Sequence, residues 1–425
     1  MPVKCVVGMH WGDEGKGGIV DVFSAEADYV VRCQGGANAG HTVIAGEAKH
    51  KFHLLPCGIL REGVKNLIGH GVVLDLEELN EELDALRAAG IDPAGRLFIS
   101  DRCQVLFPFH KKLDGLAETM LGDAKRGTSR RGISPCYADK VSYLGVRLAD
   151  MYNPVFFRKT LEKNLLIKNT LLKHTSGEEI DVEDLIEKHT RLAQGVKPFV
   201  VNGVEMIHEA LAKDARILVE CAQGTLLDVD YGTYPYVSAS NSSAHGVASG
   251  CGIPGRKIDE VVGVVKTYCT RVGAETGPFP TAEKGADGDL IRERGKEYGT
   301  TTGRPRQCGW LDLVATRYSA EVNDVDYIVL TLFDVLDVFE KVRVCVDYEI
   351  DGAKTGRFPA SCAELMRCKP VYKELPGWRR DTTGARKWSD LPEAAQGYIT
   401  FVEEFTGRPI KIISVGPERG QKVVR

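Results

Sequence analysis

The run Gly12-Asp13-Glu14-Gly15-Lys16-Gly17 follows closely on the apolar segment Cys5-Val6-Val7. A strand that ends in glycines, carboxylates and a lysine is built to meet phosphates. Glycine lets backbone N–H groups approach an anion, and Lys16 adds a mobile positive charge. Asp13 is the odd member, because it repels a phosphate unless it holds Mg²⁺ or works as a base. The loop therefore suggests chemistry at a phosphate and not storage of a nucleotide. It is not a standard P-loop, which has two glycines five apart followed by Lys and Ser/Thr. Here Gly8 and Gly15 are seven apart, and Gly17 stands where a hydroxyl would sit. Taken alone, a plain glycine-rich turn remains an equal alternative.

Further polar loops offer matching chemistry. Gln34-Gly35-Gly36-Ala37-Asn38-Ala39-Gly40-His41-Thr42 follows a second apolar segment. Small residues there expose the backbone, and His41 can act as acid, base or donor. Gln223-Gly224-Thr225 ends another apolar run, and Gly232 to Ser238 gives a hydroxyl-bearing turn. Thr300-Thr301-Thr302-Gly303-Arg304-Pro305-Arg306 places two guanidinium groups in one loop. That spacing suits bidentate recognition of carboxylates, although a solvated basic loop reads similarly. Asp334, after the run Tyr327–Leu332, is placed to accept from a base edge; a turn or capping role is equally natural.

The elements that must position these loops alternate between short apolar strands and longer amphipathic segments. That alternation predicts an α/β fold with a large, mostly parallel central sheet flanked by helices. Strands are expected at Val3–Val7, Tyr29–Cys33, Leu67–Ile68 running into Val72–Leu74, Leu97–Ser100, Ile217–Glu220, Val261–Tyr268, Tyr327–Leu332 and Lys411–Ser414. Asp75-Leu76-Glu77-Glu78 reads as a capping box opening a helix with Leu76, Leu79, Leu83 and Leu86 on one face, stopped by Gly90. Trp310–Val322 and Leu391–Phe405 are further expected helices. Pro154–Lys197 is rich in Leu and Lys and reads as a helical excursion. Three long glycine- and hydroxyl-rich stretches, at 122–135, 231–255 and 299–309, exceed tight turns, and loops of that kind are usually functional.

The 425-residue chain is long enough for a single large domain with a sizeable core. Its net charge of −4 argues against nucleic acid as a partner. Its twelve cysteines include no CxxC pair or zinc-like spacing with histidine. They are expected to be free thiols of a reducing compartment. No apolar run approaches the roughly twenty residues that cross a bilayer. No membrane association and a cytoplasmic location are the expectations.

Together these segments resemble the adenylosuccinate synthetases. The matching motifs run in order through Trp11–Gly17, Asn38–Thr42, Gln223–Asp228, Gly232–Val237, Thr270–Ala274, Gly277–Thr281, Thr301–Arg304, Asp334–Asp337 and Gly416–Arg419. The resemblance spans essentially the full chain and implies one adenylosuccinate-synthetase-like domain over 1–425, with a P-loop-NTPase-like core. A mainly helical excursion at 100–200 would carry part of a homodimer interface. It also implies a reaction in which IMP, GTP and L-aspartate yield adenylosuccinate, GDP and phosphate, with Mg²⁺. By resemblance Asp13, Lys16, His41 and Gln223 are catalytic. GTP falls to Gly12, Asp13, Glu14, Gly15, Lys16, Gly17, Gly40, His41, Thr42 and Arg306, with Asp334, Gly416 and Pro417 at the base. IMP falls to Asp13, Asn38, Ser129, Arg130, Arg131, Gln223, Ser238 and Arg304. Aspartate falls to Thr300, Thr301, Thr302, Arg304 and Arg306, and Mg²⁺ to Asp13 and the carbonyl of Gly40.

The chain departs from the family pattern in places. Gly18 stands where lysine is usual, and Arg130 and Ser134 replace glycines. Tyr143 aligns with an arginine that crosses the dimer to the IMP phosphate, so Arg130 or Arg131 is expected to substitute. Leu332 replaces a lysine near Asp334, which bears on selection of GTP. Two other readings follow from these departures: a paralogue acting on another 6-oxopurine nucleotide such as (d)GMP, and a non-catalytic GTP-binding protein.

Overall fold

The computed structural model describes the chain except residues 1–2, 46–47, 273–276, 300–302 and 304. Its centre is a ten-stranded sheet. From one edge to the other run Lys422–Val424, Ile410–Ser414, Tyr327–Thr331, Glu260–Lys266, Val3–Gly8, Ile217–Glu220, Tyr29–Arg32, Lys65–Ile68, Leu97–Ser100 and Val200–Val201. All neighbours pair in parallel except the edge pair Ile410–Ser414 with Lys422–Val424. The central strands read as unbroken apolar runs because both faces are covered, as parallel sheets require. Val3, Cys5 and Val7 pack into one core while Val6 packs with Ile19 and Val20 in the other. That is the two-residue period of a strand buried on both sides.

The helix opened by Asp75 spans Leu76–Ala88, with the Asp75 carboxylate accepting from the backbone of Glu77 and Glu78. Leu76, Leu79, Leu83 and Leu86 are its buried face, and Gly90 follows at φ 78°. The stretch Pro154–Lys197 forms two helices, Pro154–Ser176 and Val182–Val196. The first ends at Gly177 in the left-handed region, and Asp181 caps the second.

Several expected boundaries move. Trp310 to Asp312 are strand, in Gln307–Asp312, and the helix is Leu313–Asn323. The reason is Asp312, whose carboxylate caps the helix from the end of the strand, accepting from Ala315 N at 3.0 Å. The run expected over Val261–Tyr268 divides at Thr267, since Tyr268–Arg271 pairs with Gln307–Asp312 in a second, smaller sheet. Val73–Asp75 leaves the central sheet to pair with Gln104–Leu106. The last long helix is Glu393–Thr406, starting after Pro392. All twelve cysteines are free, and eleven are buried. No helix among the described residues is long and apolar enough to cross a membrane.

Candidate active site

The central strands carry their loops outward at the carboxyl ends, where ligands of open α/β sheets bind. The loops after Val3–Gly8, Tyr29–Arg32, Ile217–Glu220, Tyr327–Thr331 and Ile410–Ser414 line one cavity of about 900 Å³. Gly12 through Gly17, Asn38, Gly40, His41, Thr42, Ser129, Gln223, Ser238, Arg306, Asp334, Gly416 and Pro417 all reach it. Residues separated by most of the chain are therefore collected at one site.

The first loop is held by its own carboxylate. Buried Glu14 accepts from the backbone N–H of His10 at 3.0 Å and of Gly12 at 2.9 Å. Its other oxygen accepts from Lys16 Nζ at 2.6 Å, with both side chains almost fully buried. Burial works against the Glu14 charge, but Lys16 outweighs it and holds the carboxyl below its ordinary value. A side chain at Gly8 would sit 2.6 Å from Glu14 Oε2 and 2.7 Å from Lys16 Nζ, so the pair leaves room for glycine alone. Asp13 lies in the left-handed region at φ 60°, with its carboxylate partly exposed to the cavity. The loop bends there so that the carboxylate leaves the loop interior.

His41 is buried, and its Nδ1 hydrogen-bonds to Glu220 Oε1. Glu220 also accepts from Cys57 N at 2.8 Å and Cys57 Sγ at 3.1 Å. With Nδ1 occupied, the imidazole has Nε2 left for a ligand. Burial pushes the imidazole down from its ordinary value, with Glu220 opposing. Among the described residues, His41, Cys57 and Glu220 are the group whose donor atoms lie close enough to share a metal ion. Their internal hydrogen bonds already account for the arrangement, and thiol and imidazole ligands do not suit Mg²⁺. The Asp13 carboxylate and Gly40 carbonyl, both at the cavity, are the hard oxygen donors that do.

Other groups face the cavity unpartnered. Gln223 sits at φ 55°, gives Nε2 to Asn38 Oδ1 at 3.2 Å, and leaves Oε1 without a partner. The Thr128 hydroxyl is also buried and unpartnered. Beneath it, Glu118 accepts from the backbone of Arg126, Gly127 and Thr128 at 3.1, 2.8 and 3.2 Å. At the far end, burial beside Asp337 pushes the Asp334 carboxyl up to about 6. Arg294, which bonds the Asp334 carbonyl at 2.8 Å, opposes that rise.

Arg130 and Arg131 stand apart from the cavity lining. Arg130 is exposed at φ 56°, and Arg131 is taken up by the Ala37 carbonyl at 2.9 Å and Glu78 at 3.2 Å. Thr300, Thr301, Thr302 and Arg304 lie outside the described residues. The structure adds Arg126, Arg271 and Glu220 as site residues that sequence reasoning did not single out. A charged residue closing the apolar strand Ile217-Leu218-Val219-Glu220 was the available signal for the last.

A doubly covered parallel sheet with phosphate-suited loops, a buried Glu14–Lys16 ion pair and a held imidazole at one cavity defines a nucleotide-dependent enzyme. The family model described as adenylosuccinate synthetase matches residues 5–423. The adenylosuccinate synthetase of Alkaliphilus metalliredigens is 45% identical over 426 residues, and that of Carboxydothermus hydrogenoformans 47% identical over 425. Each alignment covers 100% of this chain and 99% of the relative. Among solved structures, the fully ligated adenylosuccinate synthetase from Plasmodium falciparum is similar with a TM-score of 0.94 at 37% identity, covering 100% of both chains. The cyanophage S-2L succinoaminodeoxyadenylate synthetase, solved with dGMP and dATP, shares the fold at a TM-score of 0.63 and 19% identity, covering 99% of this chain and 94% of its own.

The chain belongs to the adenylosuccinate synthetase family. It is a GTP-dependent ligase that joins IMP to aspartate in purine biosynthesis.

Proposed function

We propose that this cavity carries out the ligation with Asp13 as base and His41 as the principal donor to the transferring phosphoryl group. Asp13 takes the proton from N1 of the purine, which places negative charge on O6. That oxygen attacks the γ-phosphorus of GTP, the bond to the β-phosphate breaks and GDP leaves, and O6 becomes part of a phosphate leaving group. The amine of L-aspartate then displaces phosphate at C6. The supporting observation is the meeting of Asp13, His41 and Gln223 at one cavity whose far end is Asp334, Gly416 and Pro417.

Each residue type answers a need of this sequence. Catalysis of phosphoryl transfer is mostly positioning and charge stabilisation. The anionic triphosphate supplies the second counter-charge beside His41, so the ring donates through both nitrogens once GTP is bound. Lys16, held by Glu14 without ligand, has the phosphates as alternative partners. Asn38, Ser129, Gln223 and Ser238 hold IMP, and Asp334 accepts from the guanine edge. Arg306, with Arg304 and the threonines Thr300, Thr301 and Thr302, receives the carboxylates of aspartate. Asp13 and the Gly40 carbonyl would hold Mg²⁺, which would supply charge neutralisation.

The protein is also proposed to act as a homodimer through the helical excursion. Tyr143, Val155 and Leu166 are 89%, 80% and 75% exposed, and Met120, Val141 and Phe156 join them on neighbouring helices. Exposed apolar groups in such number mark an association surface. A mass near twice the monomer in light scattering is expected; a monomer at micromolar concentration would remove this part.

Mass spectrometry of products from aspartate and Mg²⁺ with GTP or ATP, and with IMP or dGMP, tests the reading. Adenylosuccinate from IMP and GTP is expected. A succinylated guanylate as the main product, or none, would overturn it.

A further inference from the structure

Arg306 stands between two carboxylates. Its Nη1 donates to Glu297 Oε2 at 2.7 Å, and its Nε lies 3.0 Å from Asp13 Oδ2. The second contact lacks hydrogen-bond alignment, and among the described residues the buried Nε–H has no acceptor. The guanidinium is thus fixed at one end and unsatisfied at the other, beside the base.

Glu297 is itself held from behind. Its Oε1 accepts from Lys266 Nζ and from the Tyr268 hydroxyl, both at 2.6 Å. Lys266 is tied in turn to the Thr270 hydroxyl at 2.7 Å. All of these side chains are buried. The backbone repeats the connection, since Arg306 N donates to the Glu297 carbonyl at 2.9 Å and Arg292 Nε to the Arg306 carbonyl at 2.9 Å. Lys266, Glu297, Arg306 and Asp13 form a row of alternating charges running from the sheet to the cavity. Nothing in the chemistry of the base requires Glu297 or Lys266; their evident effect is on where Arg306 points.

We propose that Glu297 is a positioning residue for the substrate's α-amino dicarboxylate, fixing the Arg306 guanidinium through Nη1 so that its Nε–H, close to Asp13 but not aligned on it, stays available to an incoming carboxylate. The proposal rests on the reading above in which Arg306 receives aspartate. Without the Glu297 charge, Lys266 and Arg306 become two buried cations with Asp13 the nearest anion to Arg306. The guanidinium is then free to turn its Nε–H into line with Asp13, and substrate must displace it. A buried polar group is satisfied wherever it can be, so this collapse is the expected response.

Steady-state kinetics of Glu297→Gln tests this. The Michaelis constant for aspartate is expected to rise about 10- to 100-fold, the range of one lost charge-assisted hydrogen bond. The constants for IMP and GTP should stay within about threefold, as expected for a residue that contributes binding to one substrate only. A loss of kcat with the aspartate constant unchanged would indicate a merely structural role and overturn the proposal. Should the single variant fail to fold, K266M/E297Q removes one charge of each sign and carries the same expectation. Arg306→Met separates the two levels. If it leaves the aspartate constant unchanged, the assignment of Arg306 itself fails. If it raises that constant while both Glu297 variants do not, only the role of Glu297 falls.

Discussion

The two ends of the cavity are built differently. Around Glu14, Lys16, His41 and Glu220 the polar groups are buried and paired within the chain. Around residues 126–131 the chain is mostly exposed; Arg130 lies in solvent, and Arg131 bonds Ala37 and Glu78 and not the cavity. That second loop is held from beneath by Glu118 and by Asp114, which accepts from Gly132 N at 3.0 Å, and at its end by Arg131 on Ala37 and Glu78. The end proposed to react is therefore preformed within the chain, whereas the end proposed to take the monophosphate is open. Chemistry that depends on fixed dipoles and proton acceptors benefits from the first arrangement. A substrate phosphate that must enter and leave suits the second, which the proposed dimer would close.

The largest expected effect is at the preformed end. Asp13→Ala should lower kcat by about 10²- to 10⁴-fold, the range of a general base, while GTP still binds. Residual turnover above roughly a tenth of wild type would remove Asp13 as the base, since no general-base contribution is that small. Glu220→Gln comes next. Glu220 is fully buried behind the cavity lining and sets the His41 ring, so kcat should fall about 10- to 100-fold with the Michaelis constants little changed. A rise confined to the Michaelis constants would place Glu220 in binding instead, and would blur the contrast between the two ends.

The fold was largely legible because its strands are buried on both faces and read as unbroken apolar runs. Where reading failed, a single side chain decided between neighbouring elements, as Asp312 does by capping from inside a strand. The site was legible where a residue type is unusual for its place, as Asp13 and Lys16 are among glycines. It was not legible where the role comes from a partner distant in sequence. Glu220 meets His41 across 179 positions, and Lys266 meets Glu297 across 31. A lone carboxylate at a strand end says nothing until the fold brings its partner to it. Arg131 failed in the opposite sense: its type suits a phosphate, but Glu78 already holds it.

The Asp334 end tests whether preformed extends to base recognition. Burial raises this carboxyl to about 6, and only its ionised form offers both oxygens as acceptors to the guanine N1–H and N2–H pair. As pH falls through about 6 the free enzyme protonates Asp334, and the Michaelis constant for GTP should rise by about tenfold per unit below that value. Asp334→Asn should flatten this rise. An Asn variant with the same pH dependence would assign the titration to another group.

The smallest effects should fall at the open end, and they decide what closes it. Arg131→Ala breaks a contact to Glu78 and Ala37 and not one to the cavity, so the Michaelis constant for IMP should move by no more than about threefold. Arg130→Ala should do no more, unless dimer formation brings Arg130 to a partner's phosphate site. Tyr143 is 89% exposed, beside apolar groups of the proposed interface. Tyr143→Arg should lower the Michaelis constant for IMP by about three- to tenfold if a partner cavity lies within reach, the size of a partly solvated Arg–phosphate contact. The gain should vanish when the same enzyme is diluted to monomer, because the guanidinium acts in trans. A gain that survives dilution would place Tyr143 over its own chain's cavity, and the open end would then be closed from within.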